Sequence, residues 1–184
     1  MNAIVKPPKL TPEELLRLPD GDMYELVNGC LVERKMGAES SYIAGIIFSL
    51  LYAFCKARNL GWVFPADASY QCFGKALSNV RKPDVSFIRL GRLPGIPKGH
   101  IPIAPDLAVE VISPNDLASE IDEKVKDYLA AKVSLLWVVD PAPRTVMVYL
   151  PDGNARLLTE DDELTGGEVI PGFRCSVKEL FELS

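Results

Sequence analysis

At 184 residues the chain is about the size of one ordinary domain built around a single sheet. Its residues are 48% hydrophobic and 24% charged with a mean hydropathy of +0.10, a balance that excludes a largely disordered chain. A formal net charge of −5 excludes a protein that coats nucleic acid by bulk positive charge; a local basic rim is still allowed, with Arg81 and Lys82 of the RKPD run, Arg89, Arg92 and Lys98 as its candidates.

The opening residues MNAIVKPPKL contain neither an apolar leader core nor a small-residue cleavage site, so a cytoplasmic location is expected. Thr11, Pro12 and Glu14 have the spacing of a capping box and predict a short helix over TPEELLRL. In MYELVNGCLVER, Asn28-Gly29 separates two short runs and predicts a hairpin, because a type I′ turn needs positive φ at both central residues. Residues 39–58 carry apolar side chains at helical spacing and stop at Asn59, Leu60 and Gly61. The apolar stretch inside that helix falls short of the roughly 18 residues of a membrane span, so a buried helix and no membrane partner are expected.

Residues 62–64, 68–73 and 84–88 read as short strands, rich in aromatic and β-branched residues and punctuated by Pro and Gly. The segment GRLPGIPKGHIPIAP is a long loop. DLAVEVI is a buried strand, and a helix capped by Asp116 or a neighbour then runs to about residue 131. SLLWVVD is another buried strand, RTVMVYL pairs with ARLLTE around Pro151-Asp152-Gly153-Asn154, and SVKELFEL forms a short terminal helix. Cys30, Cys55, Cys72 and Cys175 lack CxxC spacing and read as free buried thiols. The lone His100 reads as a surface-loop residue, which leaves little for a His-rich metal site or a Ser-His-Asp triad.

Glu110 lies inside the apolar run DLAVEVI, where an unpaired carboxylate would cost several kcal/mol. It must be paired, protonated, metal-bound or at a sheet edge. On the following helix, about 100° per residue places Lys124 on the same face as Leu117, Ile121 and Tyr128, with Lys126 opposite. A lysine there snorkels outward or neutralises a buried acid such as Glu110. Asp84, just after Pro83, can project from its strand end into a cleft, and Glu25 in YELVNG is a further acidic candidate. Oxygen ligands of this kind suit Mg²⁺ or Mn²⁺, which activate water and neutralise charge on a phosphate, with the lysine adding a cation.

At these residues the sequence resembles the Uma-type restriction endonuclease family of the PD-(D/E)xK nuclease superfamily. The likeness runs from YELVNGCLVE through RKPDVSFI and PDLAVEVISPND to EKVKDYLAAKVSLLWVVDP and LTGGEVIPGFRCSVKELF. It implies one restriction endonuclease-like α/β domain over 1–184, a mixed central sheet flanked by helices with an N-terminal hairpin. By position, the superfamily's PD falls on Pro83-Asp84, its second acid on Glu110 and its accessory glutamate on Glu25. The residue two after the acid is Ile112 rather than lysine, so the resemblance moves the working lysine to Lys124. Ser40 stands where many relatives carry a histidine.

The activity that the resemblance implies is that of a Mg²⁺-dependent DNA endonuclease, with Mn²⁺ as a possible substitute. Its metal would be held by Asp84, Glu110 and the Val111 carbonyl, and a homodimer is expected because cutting two strands without repositioning needs two sites. The alternatives are a catalytically silent nuclease-like fold used for nucleic-acid binding or assembly and, more distantly, a glycosidase using Glu110 and Asp84 as acid and base.

Overall fold

The computed structural model describes residues 9–35, 37–75 and 78–182. The expectation of no leader concerns in the main residues 1–8, which lie outside that range. Helix α1, Pro12–Leu15, opens on the expected capping box, with Glu14 N donating to Thr11 Oγ1 and Thr11 N to the Glu14 carboxylate. Strands β1 (Tyr24–Val27) and β2 (Cys30–Glu33) form the hairpin, and Asn28 and Gly29 have φ of 52° and 81°. The long helix α2, Ala38–Arg58, stops at Asn59, whose left-handed φ of 53° caps it.

Next come β3 (Gly61–Pro65), β4 (Tyr70–Phe73), β5 (Asn79–Arg81), β6 (Val85–Arg89) and β7 (Leu107–Val111). Helix α3, Ala118–Ala130, crosses to β8 (Leu135–Asp140), followed by β9 (Thr145–Tyr149), β10 (Ala155–Leu158), β11 (Glu163–Thr165), β12 (Arg174–Ser176) and a 3₁₀ turn, Lys178–Phe181. Three strands were not expected: β5, β11 and β12 are each three residues long, too short to display a period. The α3 cap falls on the neighbour of Asp116. Leu117 occupies it and is 58% exposed, while the Asp116 carboxylate accepts from Ser113 N. Val125 therefore replaces Leu117 in the inward stripe beside Tyr128.

The central sheet has the order β10-β9-β8-β7-β6-β3; β7 and β8 are parallel and every other neighbouring pair is antiparallel. Alternation along its strands divides the core. Val85, Phe87, Val109, Val111, Trp137 and Val139 pack with Ile43, Ile47 and Leu51 of α2. Ile88, Ala108, Leu136 and Val138 pack with Val125 and Tyr128 of α3 on the opposite face. Both faces being covered explains why every residue of β7 is buried. Truncating Leu51, which is 0% exposed, to Ala would cost about 2–5 kcal/mol. A second sheet, β2-β1-β5-β4, carries the hairpin, and the β11-β12 ribbon belongs to the α2 side through Leu164 and the flanking Phe173 and Val177.

Helix α2, at 21 residues, is long and apolar enough by composition to cross a membrane, contrary to the expectation from its apolar stretch alone; among the described residues it is the one such helix. One side of it packs into the core as described. Two further expectations change. Of the four cysteines Cys55 is buried as expected, whereas Cys30 is exposed and Cys72 and Cys175 are half-buried. His100 is half-buried, with Nδ1 bonded to Ser69 Oγ at 2.7 Å and Nε2 to the Pro12 carbonyl at 2.9 Å, so it ties the proline-rich loop to α1.

Candidate active site

The antiparallel register Val85↔Val109 places Asp84, one residue before β6, opposite Glu110. Facing residues of such a pair have Cβ atoms roughly 4.5–5.5 Å apart. Asp84 is fastened to β7 at two points: its N–H donates to the Val109 carbonyl at 2.9 Å and its Oδ2 accepts from Val111 N at 2.7 Å. Glu110 alternates with Val109 and Val111 and so faces α3.

Helix α3 answers Glu110 with two side chains one turn apart. Lys124 Nζ donates to Glu110 Oε2 at 2.6 Å, and Tyr128 Oη to Oε1 at 2.5 Å. This is how the strand tolerates a carboxylate that is 3% exposed. Burial works against the Lys124 charge, but Glu110, Glu25 and Asp84 together hold its ammonium above the ordinary lysine range. Burial and the neighbouring Glu110 charge push Asp84 up to about 7, against the lowering effects of Lys124, the Val111 bond and Arg34. The Tyr128 hydroxyl is raised well above its ordinary value by burial and then by Glu110, so it stays a donor.

Glu25 lines the same cleft but both of its oxygens are engaged. Oε2 accepts from Arg81 Nη1 at 2.9 Å and Oε1 from Lys82 N at 2.7 Å. Burial alone would neutralise it, yet Lys124 and Arg81 bring its pKa below the ordinary carboxylate value. Arg81 also grips Asp127 of α3 through Nε and Nη2 at 2.8 and 2.7 Å. Burial opposes the Arg81 charge, and the Glu25 and Asp127 carboxylates more than offset that.

The cleft is small, about 60 Å³, with Asp84, Glu110, Val111, Lys124 and Glu25 among its lining. Of the expected basic rim, Arg81 lines the cleft and the rest is elsewhere: Lys82 Nζ donates to the Gly21 and Asp22 carbonyls, Arg92 bonds Asp106 and the Ala104 carbonyl, Arg89 bonds the Glu168 carbonyl, and Lys98 is in the exposed proline-rich loop. Arg34 and Lys35, immediately after β2, join Arg81 and Lys124 as cations lining the cleft. Ser40 is buried in the first turn of α2, where its Oγ accepts from Gly37 N at 3.0 Å and donates to the Gly37 carbonyl.

Sequence reasoning missed Arg34 and Asp127, placed Arg81 only within a basic rim, and counted Tyr128 only as part of an apolar stripe. A tyrosine one helical turn after an inward lysine was the available signal for the last. The donor set fits a hard, largely hydrated cation. Among the described residues Asp84 Oδ1 makes only a 3.7 Å ion contact, and no group of three or more His, Cys, Asp or Glu side chains gathers as a closed metal site. Two carboxylates and water suit Mg²⁺ or Mn²⁺ better than zinc.

A crystal structure of "a putative nuclease belonging to DUF820 from Anabaena variabilis" is similar, with a TM-score of 0.76 and 23% identity, covering 94% of this chain and 97% of that one. At that identity the likeness speaks for the fold. No curated protein matches the chain. The Uma2 family model, described as "Putative restriction endonuclease", matches residues 12–178, and the chain therefore belongs to the Uma2 family, with a restriction endonuclease-like fold.

Proposed function

We propose that this protein is a Mg²⁺-dependent endonuclease acting on DNA phosphodiesters, with Asp84, Glu110 and Lys124 at its centre and Glu25 as an accessory carboxylate. The observation that carries the reading is the pairing of Asp84 with Glu110 across the β6–β7 register while Lys124 reaches Glu110 from α3. Asp84, Glu110 and the Val111 carbonyl would hold the cation, with Mn²⁺ as a substitute. When bound, it would lower the pKa of a coordinated water and offset the charge gathering on the phosphate.

The chain's own residues divide the remaining work. Lys124, held protonated by three carboxylates, is a donor and not a base at neutral pH, and its N–H groups are suited to steady a phosphate oxygen or orient the attacking water. Glu110 aims Lys124, and Tyr128 in turn fixes Glu110. Glu25 contributes at a distance by favouring the Lys124 charge and by holding Arg81.

The test is cleavage of supercoiled plasmid with Mg²⁺ or Mn²⁺ by wild type, Asp84→Ala and Lys124→Ala. Cleavage by wild type with a loss of at least about 10²-fold in each variant is expected; equal cleavage by all three would attribute the activity to a contaminant. Linear product at first turnover would support a homodimer, and nicked product a single working site. A silent nuclease-like fold is the second reading, favoured by the engagement of both Glu110 oxygens and both Glu25 oxygens with protein donors. Calorimetry with Mn²⁺ separates the two, since heat lost in Asp84→Ala argues for a working metal site.

A further inference from the structure

Among the described residues, Arg34 is the cation lining the cleft that has a buried side-chain nitrogen without a hydrogen-bond partner. It directly follows β2, is anchored by its own N–H to the Met23 carbonyl at 2.9 Å, and its side chain is 14% exposed. Its Nη1 lies 3.6 Å from Asp67 and its Nη2 3.7 Å from Asp84, whereas a charge-assisted N–H···O bond is about 2.7–2.9 Å. Among the described residues, Nη2 is buried with no hydrogen-bond partner. Neighbouring Lys35, by contrast, donates to both Glu120 oxygens, at 2.9 and 2.8 Å.

A buried guanidinium donor left over costs free energy, and the partner it lacks must be an acceptor, since arginine only donates. Asp67 is a weak anchor because its side chain is 86% exposed. Asp84 is already bonded to Val111, at the shorter distance of 2.7 Å. An anion entering beside Asp84 would meet Arg34 from the β2 wall and Lys124 from the α3 wall. The cleft, about 60 Å³, has room for a tetrahedral oxyanion.

We propose that Arg34 is a substrate-binding residue whose Nη2 N–H donates to a non-bridging oxygen of a nucleic-acid backbone phosphate held between it and Lys124. The proposal rests on the nuclease reading for the phosphate's identity. It assigns Arg34 to backbone contact, so its contribution is independent of base sequence.

The experiment compares wild type, Arg34→Ala and Arg34→Lys by fluorescence anisotropy on two short duplexes of unrelated sequence, with Ca²⁺ in place of Mg²⁺ to leave the DNA uncut. Calorimetry with Mn²⁺ alone runs beside it. Arg34→Ala is expected to weaken binding about 10- to 100-fold, equally on both duplexes, and to reduce the log–log salt slope by about one. Mn²⁺ affinity should not fall. Arg34→Lys should recover only part of the binding, because it keeps the charge and loses the planar fork.

Unchanged DNA binding with tighter Mn²⁺ in Arg34→Ala would overturn the proposal and leave Arg34 as a counter-ion of Asp84. Wild type that fails to bind DNA would overturn it too. Arg34-dependent binding without cleavage by wild type would sink the nuclease reading and spare Arg34. Cleavage at wild-type KM by Arg34→Ala would do the reverse.

Discussion

Tyr128 is fully buried, edge-on to Phe73 at 5.3 Å between ring centroids, and its hydroxyl proton goes to Glu110. Removing that oxygen leaves the ring packing in place and one Glu110 oxygen short of a donor. Tyr128→Phe should cost about 1–3 kcal/mol in urea unfolding and lower Mn²⁺ affinity about 10- to 100-fold. Unaltered Mn²⁺ heats would make the phenol a packing residue only. Asp84 sets a pH dependence whose sign is given by its raised pKa: about 7 when folded against an ordinary value of 3.8. The folded state keeps this proton while the unfolded chain releases it, so stability falls as pH rises from about 4 to 7 and is flat above. The loss is on the order of a few kcal/mol. Asp84→Asn should therefore be the more stable protein at pH 8 by thermal or urea unfolding, and equal or lower stability there would contradict the burial argument. Lys124 and Glu110 were legible in the sequence because a charge in an apolar run or stripe is costly. Arg81 was legible only as a rim cation and not as a buried one, since an arginine in RKPD looks solvated and its partners lie 46 and 56 residues away.

Short β5 does more than its three residues suggest, because Arg81 ties the second sheet to α3 through Glu25 and Asp127. Both ion pairs have poorly solvated members, so removing the shared cation strands two carboxylates. Arg81→Met should destabilise by about 3–5 kcal/mol, and Arg81→Lys should not rescue it, because one ammonium cannot span both acids in this geometry. A loss under about 1 kcal/mol would mean α3 is fixed by its apolar face alone. Elements with a complete local signal were readable in advance: the Asn28-Gly29 turn, the capped ends of α1 and α2, and the apolar β7. The start of α3 was legible to within one residue: Asp116 looks like a helix cap but spends its carboxylate on Ser113 N, and its neighbour Leu117 takes the position.

Across the whole molecule, a net charge of −5 coexists with four cations lining one small cleft, Arg34, Lys35, Arg81 and Lys124, of which Arg81 is held by Glu25 and Asp127; Asp116, Glu120 and Glu123 line it beside the candidate site carboxylates. Few phosphates can be neutralised there. Under the nuclease reading, DNA binding in Ca²⁺ should show a log–log salt slope of roughly −2 to −3, at about −0.9 per phosphate contact. A slope near −8 would require a basic surface away from the cleft. The helical origin of Lys124 has a different consequence. A lysine two residues after the acid would be fixed by the pleat of the strand; here that position is Ile112, and residues 112–117 separate β7 from the helix that carries the ammonium. Each residue gained or lost in that connection would turn Lys124 by about 100° and slide it about 1.5 Å. The length of one short connector thus acts as a dial on the site, open to insertion and deletion while every strand of the sheet stays in register.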